Sequence, residues 1–212
     1  IHDWNQAPVA PRSPDMLDDE TLRDGLHSPS VRCPTIDEKL RILHLIDKLG
    51  IDTANIGLPG AGPHVVTDVE RLAREIAGQR LHVKANCAAR TVIADIRPVV
   101  EIAQRAGLPI ECCTFIGSSP IRHYAEGWSL DNLLRLTEEA IGFAVREGLP
   151  VMYVTEDTTR ASPGTLRQLY STAIRAGASR VCVADTVGHA IPSGAAAVVR
   201  FIAEVVEECG GG

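Results

Sequence analysis

The sequence predicts a (β/α)8 barrel, or TIM barrel, of which about six βα units are present. Short β-rich apolar runs alternate with longer amphipathic stretches, and the runs recur at roughly thirty-residue intervals with one longer gap after the fourth. This alternation indicates a parallel sheet, because crossover helices join its strands. The units are uniform and carry no dinucleotide-binding glycine fingerprint, which favours a barrel over a doubly wound sheet.

The predicted strands are short runs of apolar and β-branched residues. They are residues 16–21, 53–57, 81–85, 110–116, 151–155 and 180–184. The first sixteen residues are rich in proline and aperiodic, so we predict an extended arm over 1–16 and the barrel domain over 17–212.

Helix signals lie between the strands. Thr35 and Glu38 have the spacing of a capping box, and Gly50 is placed to stop the helix that follows them. The other predicted helix starts are Ser129, Ser162 with Pro163, and Ser193. A closed barrel of this type has eight units and about 250 residues, so we expect the last two units to be missing from this sequence.

The composition is that of an ordinary globular protein. The formal net charge of −6 and the aromatic content of 4% argue against a nucleic-acid partner. The six cysteines form no CxxC pair, which excludes a zinc finger or a disulfide framework. We recognise no signal peptide and no apolar run of transmembrane length, so we predict a cytoplasmic protein without a membrane partner.

Polar residues follow every predicted strand, at the end where the βα loops of a parallel barrel converge. They are Arg23, Asp24, Asn55, Asn86, Arg90, Ser118, Ser119, His123, Glu156, Asp157, Arg160, Asp185 and Thr186. An Arg23–Asp24 pair taken alone is typical of a surface ion pair. In this series it suits carbonyl chemistry, because a carboxylate binds a hard cation and a guanidinium donates to an oxyanion.

Five motifs carry a resemblance to a known family. They are DETLRDG, GIDTANIGLPG, SSPIRH, VTEDTTR and VADTVG. Over about residues 17–192 they resemble successive signatures of the 2-isopropylmalate synthase, homocitrate synthase and citramalate synthase family. That family belongs to the metal-dependent TIM barrels that include hydroxymethylglutaryl-CoA lyase. The first and last motifs are the most specific.

The resemblance implies a role for each matching position. It implies catalytic roles for Arg23 and Glu156, substrate binding by Arg90, His123, Thr186 and Asn55, and a divalent metal ion (Mg²⁺, Mn²⁺ or Zn²⁺) on Asp24. The implied reaction is a Claisen-type condensation of acetyl-CoA with a 2-oxo acid. We expect a homodimer for a separate reason, because six parallel units leave the first and sixth strands without neighbours, and a second chain could cover these edges. The alternatives are a lyase that runs the reverse cleavage on the same metal platform, and a non-catalytic barrel fragment.

Three positions depart from the family pattern. Asn55 stands where the family has a glutamate, and His27 stands where many members have glutamine. The histidine-x-histidine motif that supplies the family's two remaining metal ligands does not occur in this sequence. We therefore expect weak metal binding by this chain alone.

The polar residues of the last two loops also have structural interpretations. We predict that Asp157 and Arg160 form an ion pair that steadies their loop, and that Asp185 braces Thr186. His189 is predicted to be a solvent-facing loop residue.

Overall fold

The structure is a computed structural model that describes residues 16–210. The predicted arm over 1–16 lies outside the described residues except for Met16.

A single parallel sheet organises the molecule. Its spatial strand order is the same as the chain order, and every neighbouring pair is parallel. The strands are β1 Asp18–Asp19, β2 Thr53–Asn55, β3 Lys84–Arg90, β4 Glu111–Gly117, β5 Val151–Glu156 and β6 Arg180–Val183. A doubly wound sheet reverses its order part-way along, whereas a barrel does not. The predicted TIM-barrel fold is confirmed, as an open arc of six strands with their helices.

Seven α-helices lie between and after the strands in residues 16–210. They are α1 Ile36–Lys48, α2 Pro63–Gln79, α3 Ile93–Ala106, α4 Pro120–Glu126, α5 Leu130–Arg146, α6 Pro163–Arg175 and α7 Pro192–Glu208. Short 3-10 turns occupy Asp24–His27, Pro59–Ala61 and Thr158–Arg160. None of the helices in the described part of the chain is both long enough and apolar enough to cross a bilayer.

The helix predicted to start at Ser193 begins one residue earlier, at Pro192, and has no side-chain cap, whereas the other predicted helix caps are present. The Thr35 hydroxyl accepts from the Glu38 amide at 3.3 Å, and the Glu38 carboxylate accepts from the Thr35 amide at 2.8 Å. The backbone hydrogen bond from Thr35 is the main cause that lowers the pKa of Glu38 to about 2. Ser129 and Ser162 cap α5 and α6 through their side chains.

The core lies between the sheet and the helices. Its largest fully buried side chains are Tyr153, Tyr170, Leu43, Ile56, Leu72, Ile96, Ile102, Ile110, Leu133, Ile141, Leu169 and Val69. The Tyr153 and Tyr170 rings meet edge to face at 5.9 Å, and the Tyr153 hydroxyl contacts Thr137 Oγ1 at 2.9 Å. This packing holds β5 rigidly, and β5 ends at the polar edge of the sheet.

The first strand is shorter than predicted. We expected a strand over 16–21, but the ladder joins only Asp18 to Thr53 and Asp19 to Ala54. The chain then turns, because the amides of Arg23 and Gly25 both donate to the Glu20 carbonyl, at 3.2 and 3.0 Å.

The third strand lies further along the chain than predicted. We expected residues 81–85, whereas β3 spans Lys84–Arg90. The amides of His82 and Val83 donate to the Asp47 carboxylate instead of to a neighbouring strand. Alanines make up much of β3 and are depleted in strands, so composition alone gave a wrong boundary.

Four predicted site residues lie within strands or a helix, where we had expected them to follow a strand. Asn86 lies within β3 and Arg90 is its last residue, so neither follows the strand. Glu156 is likewise the last residue of β5. His123 lies on α4, a seven-residue helix that we did not predict, where Ser119 accepts from the Arg122 amide and Pro120 fills the first turn.

Candidate active site

The carboxyl ends of all six strands lie at one edge of the sheet, because the strands are parallel. Hydrogen bonds and ion pairs join the polar side chains at this edge into two groups. One group follows β1 and β2 and is centred on Arg23. The other follows β4, β5 and β6 and is centred on Glu156 and Asp157.

Arg23 is held between two carboxylates. Its Nη2 lies 2.6 Å from Glu20 Oε2, and its Nη1 lies 3.0 Å from Asp24 Oδ1. Its Nε is buried and has no hydrogen-bond partner within residues 16–210. The guanidinium is therefore fixed in place and retains a donor that the described residues leave unused.

Glu20 joins Arg23 to the second strand. The amide nitrogen of Asn55 donates to Glu20 Oε1 at 3.2 Å, while Asn55 Oδ1 accepts from the Gly57 amide at 3.3 Å. Burial raises the pKa of Glu20 above its usual range, although Arg23 and Asn55 partly oppose this shift. Glu20 thus belongs to the site, and the sequence analysis did not identify it.

Asp18 and Asn86 extend this network below the edge. Asp18 Oδ1 accepts from the Asn86 amide nitrogen at 2.7 Å and from the Thr53 hydroxyl. The amide oxygen of Asn86 is buried and has no partner among the described residues. The inner face of the first three strands is therefore polar.

The described residues do not fit a complete divalent-metal site. The Asp24 side chain is 66% exposed, and its Oδ1 lies 3.9 Å from His27 Nδ1. Residues 16–210 contain no group of three or more histidine, cysteine, aspartate or glutamate side chains arranged to hold a metal. Hard cations and zinc require several protein ligands, so Asp24 alone does not make the site.

Glu156 is held at the junction of two loops. Its carbonyl accepts from the Ser118 amide at 3.0 Å and from the Ser118 hydroxyl at 2.8 Å. Its carboxylate lies 3.6 Å from Nη2 of Arg122 on α4. The sequence analysis missed Arg122, although it stands in the SSPIRH motif directly before His123.

Asp157 has a left-handed backbone, with φ of 58°, and it is buried. Its carboxylate accepts from Nε and Nη2 of Arg160 at 2.7 and 2.6 Å, and these bonds are the main reason its pKa lies below the usual range. Its amide donates to Thr186 Oγ1 at 2.8 Å. The predicted Asp157–Arg160 ion pair is confirmed within the loop after β5. The hydrogen bond from the Asp157 amide to Thr186 connects this loop to the loop after β6.

Asp185 braces the loop after β6. Its carboxylate accepts from the Thr159 hydroxyl at 2.6 Å and from the amides of His189 and Ala190 at 3.0 and 3.1 Å. The hydrogen bond from Thr159 is the main cause that lowers the pKa of Asp185. Asp185 therefore braces the loop through these three groups and not through Thr186 as predicted, because the Thr186 hydroxyl accepts from the Asp157 amide instead. His189 is exposed as predicted.

Arg90 and His123 have contrasting surroundings. Arg90 makes a bidentate pair with Asp95, at 2.6 and 2.9 Å, and its side chain is 64% exposed. His123 Nε2 is buried and has no hydrogen-bond partner in the described part of the chain. Arg90 is oriented by α3, whereas the imidazole has an unused ring nitrogen.

Comparison with known proteins assigns the family. The HMGL-like family model matches residues 16–210. The chain is 35% identical over 191 residues to homocitrate synthase AksA of Methanopyrus kandleri, covering 89% of this chain and 45% of that protein. It is 32% identical over 197 residues to 2-isopropylmalate synthase of Microcystis aeruginosa, covering 92% of this chain and 37% of that protein. The chain spans less than half the length of these relatives.

Solved structures support the fold. The HMG-CoA lyase of Bacillus subtilis has a TM-score of 0.71 at 17% identity, covering 89% of this chain and 64% of that one. The hydroxymethylglutaryl-CoA lyase of Pseudomonas aeruginosa has a TM-score of 0.69 at 20% identity, covering 91% and 64%. At these identities the likeness concerns the fold alone. The family model covers nearly the whole chain, and the chain therefore belongs to the HMGL-like family.

Proposed function

We propose that this chain carries the acyltransfer site of an enzyme that condenses acetyl-CoA with a 2-oxo acid. The observation that carries the proposal is Arg23, fixed between Glu20 and Asp24 at the carboxyl edge of the sheet with a buried Nε that has no partner within residues 16–210. The relatives named as homocitrate and 2-isopropylmalate synthases support the same reaction class.

Arg23 stabilises negative charge on oxygen. In a Claisen condensation a proton leaves the acetyl methyl group, the carbanion attacks the oxo carbon, and that carbonyl oxygen becomes an alkoxide. A fixed guanidinium that donates to these oxygens stabilises the charge where it develops. The alkoxide then takes up a proton, and hydrolysis of the thioester releases CoA.

Glu156 is the proposed catalytic carboxylate near the reacting carbons. Its main chain is fixed by Ser118 and its carboxylate lies 3.6 Å from Arg122, so the acid group is oriented without a tight ion pair. A carboxylate held in this way can hold or transfer a proton.

The proposed substrate contacts surround these two residues. Thr186 Oγ1 already accepts from the Asp157 amide, so its own hydrogen is available to a 2-oxo acid oxygen. Arg90 presents an exposed guanidinium to a substrate carboxylate, and His123 offers an Nε2 that no residue within 16–210 contacts by a hydrogen bond. Asn55 acts through Glu20, to which it donates.

Asp24 remains the proposed metal ligand implied by the resemblance, for Mg²⁺, Mn²⁺ or Zn²⁺. The described residues do not complete such a metal site. The roles proposed for Arg23, Glu156 and Thr186 are therefore stated without a metal ion. The homodimer and the cytoplasmic location remain predictions from the sequence.

The release of free CoA tests the proposal. Protein containing this chain is incubated with acetyl-CoA and with pyruvate, 2-oxoisovalerate or 2-oxoglutarate, with each metal added in turn. We expect CoA release with at least one acid, and its loss in Arg23→Ala. The matched control is Arg74→Ala, because Arg74 is exposed on α2 and pairs with Glu70.

Three results would contradict the assignment. CoA release that Arg23→Ala leaves unchanged places the chemistry elsewhere. Cleavage of a 3-hydroxyacyl-CoA without any condensation indicates the lyase alternative. No turnover in either direction indicates a non-catalytic fragment.

A further inference from the structure

Glu20, the residue directly after β1, and Asn55, the last residue of β2, stand side by side. The register pairs Asp19 with Ala54, so the next residue on each chain segment, Glu20 and Asn55, lies at the same level of the edge. One position carries a carboxylate and the other an amide, and the two are hydrogen-bonded at 3.2 Å. The resemblance leads one to expect the carboxylate at position 55.

Glu20 is the better enclosed of the two carboxylates that hold Arg23. Its side chain is 40% exposed, against 66% for Asp24, and it makes the shorter contact with the guanidinium, 2.6 against 3.0 Å. The contact with Glu20 is an ion pair without hydrogen-bond geometry, since Glu20 Oε2 has no hydrogen-bond partner within residues 16–210, whereas Arg23 Nη1 donates a hydrogen bond to Asp24 Oδ1. The attraction within an ion pair is stronger when the two charges are closer and shielded from water. Glu20 therefore makes the closer and better shielded charge contact with Arg23, and Asp24 makes the more exposed hydrogen bond.

Asn55 cannot orient Arg23 in place of Glu20. Its amide oxygen already accepts from the Gly57 amide, and its amide nitrogen is a donor like the guanidinium itself. That nitrogen instead donates to Glu20 Oε1, which leaves Oε2 for Arg23. The Glu20 carbonyl also accepts from the Arg23 amide, so Glu20 holds both ends of the arginine.

We propose that Glu20 is the positioning residue for Arg23, and that Glu20 and Asn55 form an exchanged pair in which the carboxylate stands directly after the first strand and the amide ends the second. The catalytic part of this inference rests on the proposed function. The structural part does not, because it concerns the orientation of Arg23 alone. The exchanged pair implies that a carboxylate at position 55 can replace the one at position 20 in orienting Arg23.

The test compares Glu20→Gln with the double variant Glu20→Gln/Asn55→Glu, which returns one carboxylate to the pair. The matched control is Glu70→Gln, which removes a partly buried carboxylate that pairs with Arg74 of α2 and Arg105 of α3. One readout is the side-chain Nε–H signal of Arg23 in ¹⁵N-edited NMR spectra, assigned by its loss in Arg23→Lys. The other is kcat and KM for CoA release.

We expect Glu20→Gln to shift and broaden the Arg23 signal and to lower kcat about tenfold, the usual scale for residues that orient a reacting group. The double variant is expected to restore the signal and to bring kcat to within about threefold of the unchanged protein. Glu70→Gln is expected to alter neither readout.

The positioning role is refuted if Glu20→Gln leaves the Arg23 signal unchanged, or if the double variant recovers neither signal nor kcat. If the unchanged protein releases no CoA, the proposed function fails while the NMR comparison still decides the role of Glu20. If Glu20→Gln does not fold, the double variant alone decides: an ordered Arg23 signal supports the exchange and a broadened one refutes it.

Discussion

Asp157 offers the sharpest test of how the loops at the polar edge are held. It is 3% exposed, it accepts two hydrogen bonds from Arg160, and its amide donates to Thr186. Replacing Asp157 by Asn keeps the shape and the tolerance of a left-handed backbone but removes the charge. The change therefore isolates the ion pair from the backbone conformation.

The expected loss in the free energy of unfolding follows from these contacts. Hydrogen bonds to charged groups contribute about 1.5–3 kcal/mol. One of the two bonds survives in Asp157→Asn in neutral form, and the Arg160 side chain, 31% exposed, regains water. We expect a loss of about 1–2 kcal/mol in the free energy of unfolding. For a domain of this size that lowers Tm by about 2–8 °C.

Replacing Asp157 by alanine and by glycine separates the cost of the left-handed backbone from the loss of the two hydrogen bonds. Asp157→Ala loses both bonds and places alanine at φ of 58°, which costs about 1–2 kcal/mol in the left-handed region. Asp157→Gly loses the same bonds without that cost. We therefore expect the glycine variant to melt above the alanine variant.

Thermal melting followed by circular dichroism measures all three variants. Glu139→Gln is the control, because it removes an exposed helix pair with Arg135 worth less than about 0.5 kcal/mol. An unchanged Tm in Asp157→Asn, or a glycine variant less stable than alanine, would refute the reasoning.

The contribution of Asp157 to the stability of the fold depends on pH in a definite direction. The pKa of Asp157 in the folded protein is lowered, chiefly by hydrogen bonds from Arg160. Such a group stabilises the fold above its unfolded pKa of about 3.9, and the contribution is lost as the pH falls through the lower folded value. We expect the Tm difference between the unchanged protein and Asp157→Asn to be full at neutral pH and to shrink below about pH 4. A difference that grows on acidification would contradict this.

Three further outcomes can be measured. Tyr153→Phe removes a buried hydrogen bond to Thr137 and should cost about 1–3 kcal/mol in urea unfolding; a neutral result would contradict the pairing. Calorimetry with Mg²⁺, Mn²⁺ or Zn²⁺ should show weak binding, and tight binding abolished by Asp24→Ala would overturn that expectation. An open apolar groove of about 380 Å³ lies between β6 and α7, lined by Val181 and Val199 among others. Because it exposes apolar surface, light scattering should show self-association. A monodisperse monomer with cooperative melting would argue against this.

Much of the fold follows from local signals in the sequence. The Thr35–Glu38 capping box and the serine caps depend on contacts within one turn, so spacing alone locates them. Parallel order follows from the alternation of strands and helices. The bounds of β3 do not follow, because Asp47 takes the amides of His82 and Val83 from another part of the chain.

The edge of the sheet where the polar residues gather was predictable, whereas the pairing of their side chains was not. Polar residues at strand ends identify the edge, since parallel strands end together. The partner of each side chain depends on the three-dimensional arrangement. The Asn55–Glu20 contact spans 35 residues of sequence and the Asp157–Thr186 contact spans 29. Glu20 was not predicted because its place in the network depends on its contact with Asn55, which exists only in the folded chain.

The central claim is that the strand ends form one site for a 2-oxo acid around Arg23. An ¹⁵N NMR titration with pyruvate, 2-oxoisovalerate or 2-oxoglutarate tests it directly by mapping which backbone amides shift. We predict that the shifts cluster at the carboxyl edge, at residues such as Gly25, Gly57 and Thr186, and that Arg23→Ala abolishes them. Shifts at the opposite edge or in the groove between β6 and α7, or shifts that persist in Arg23→Ala, would contradict it.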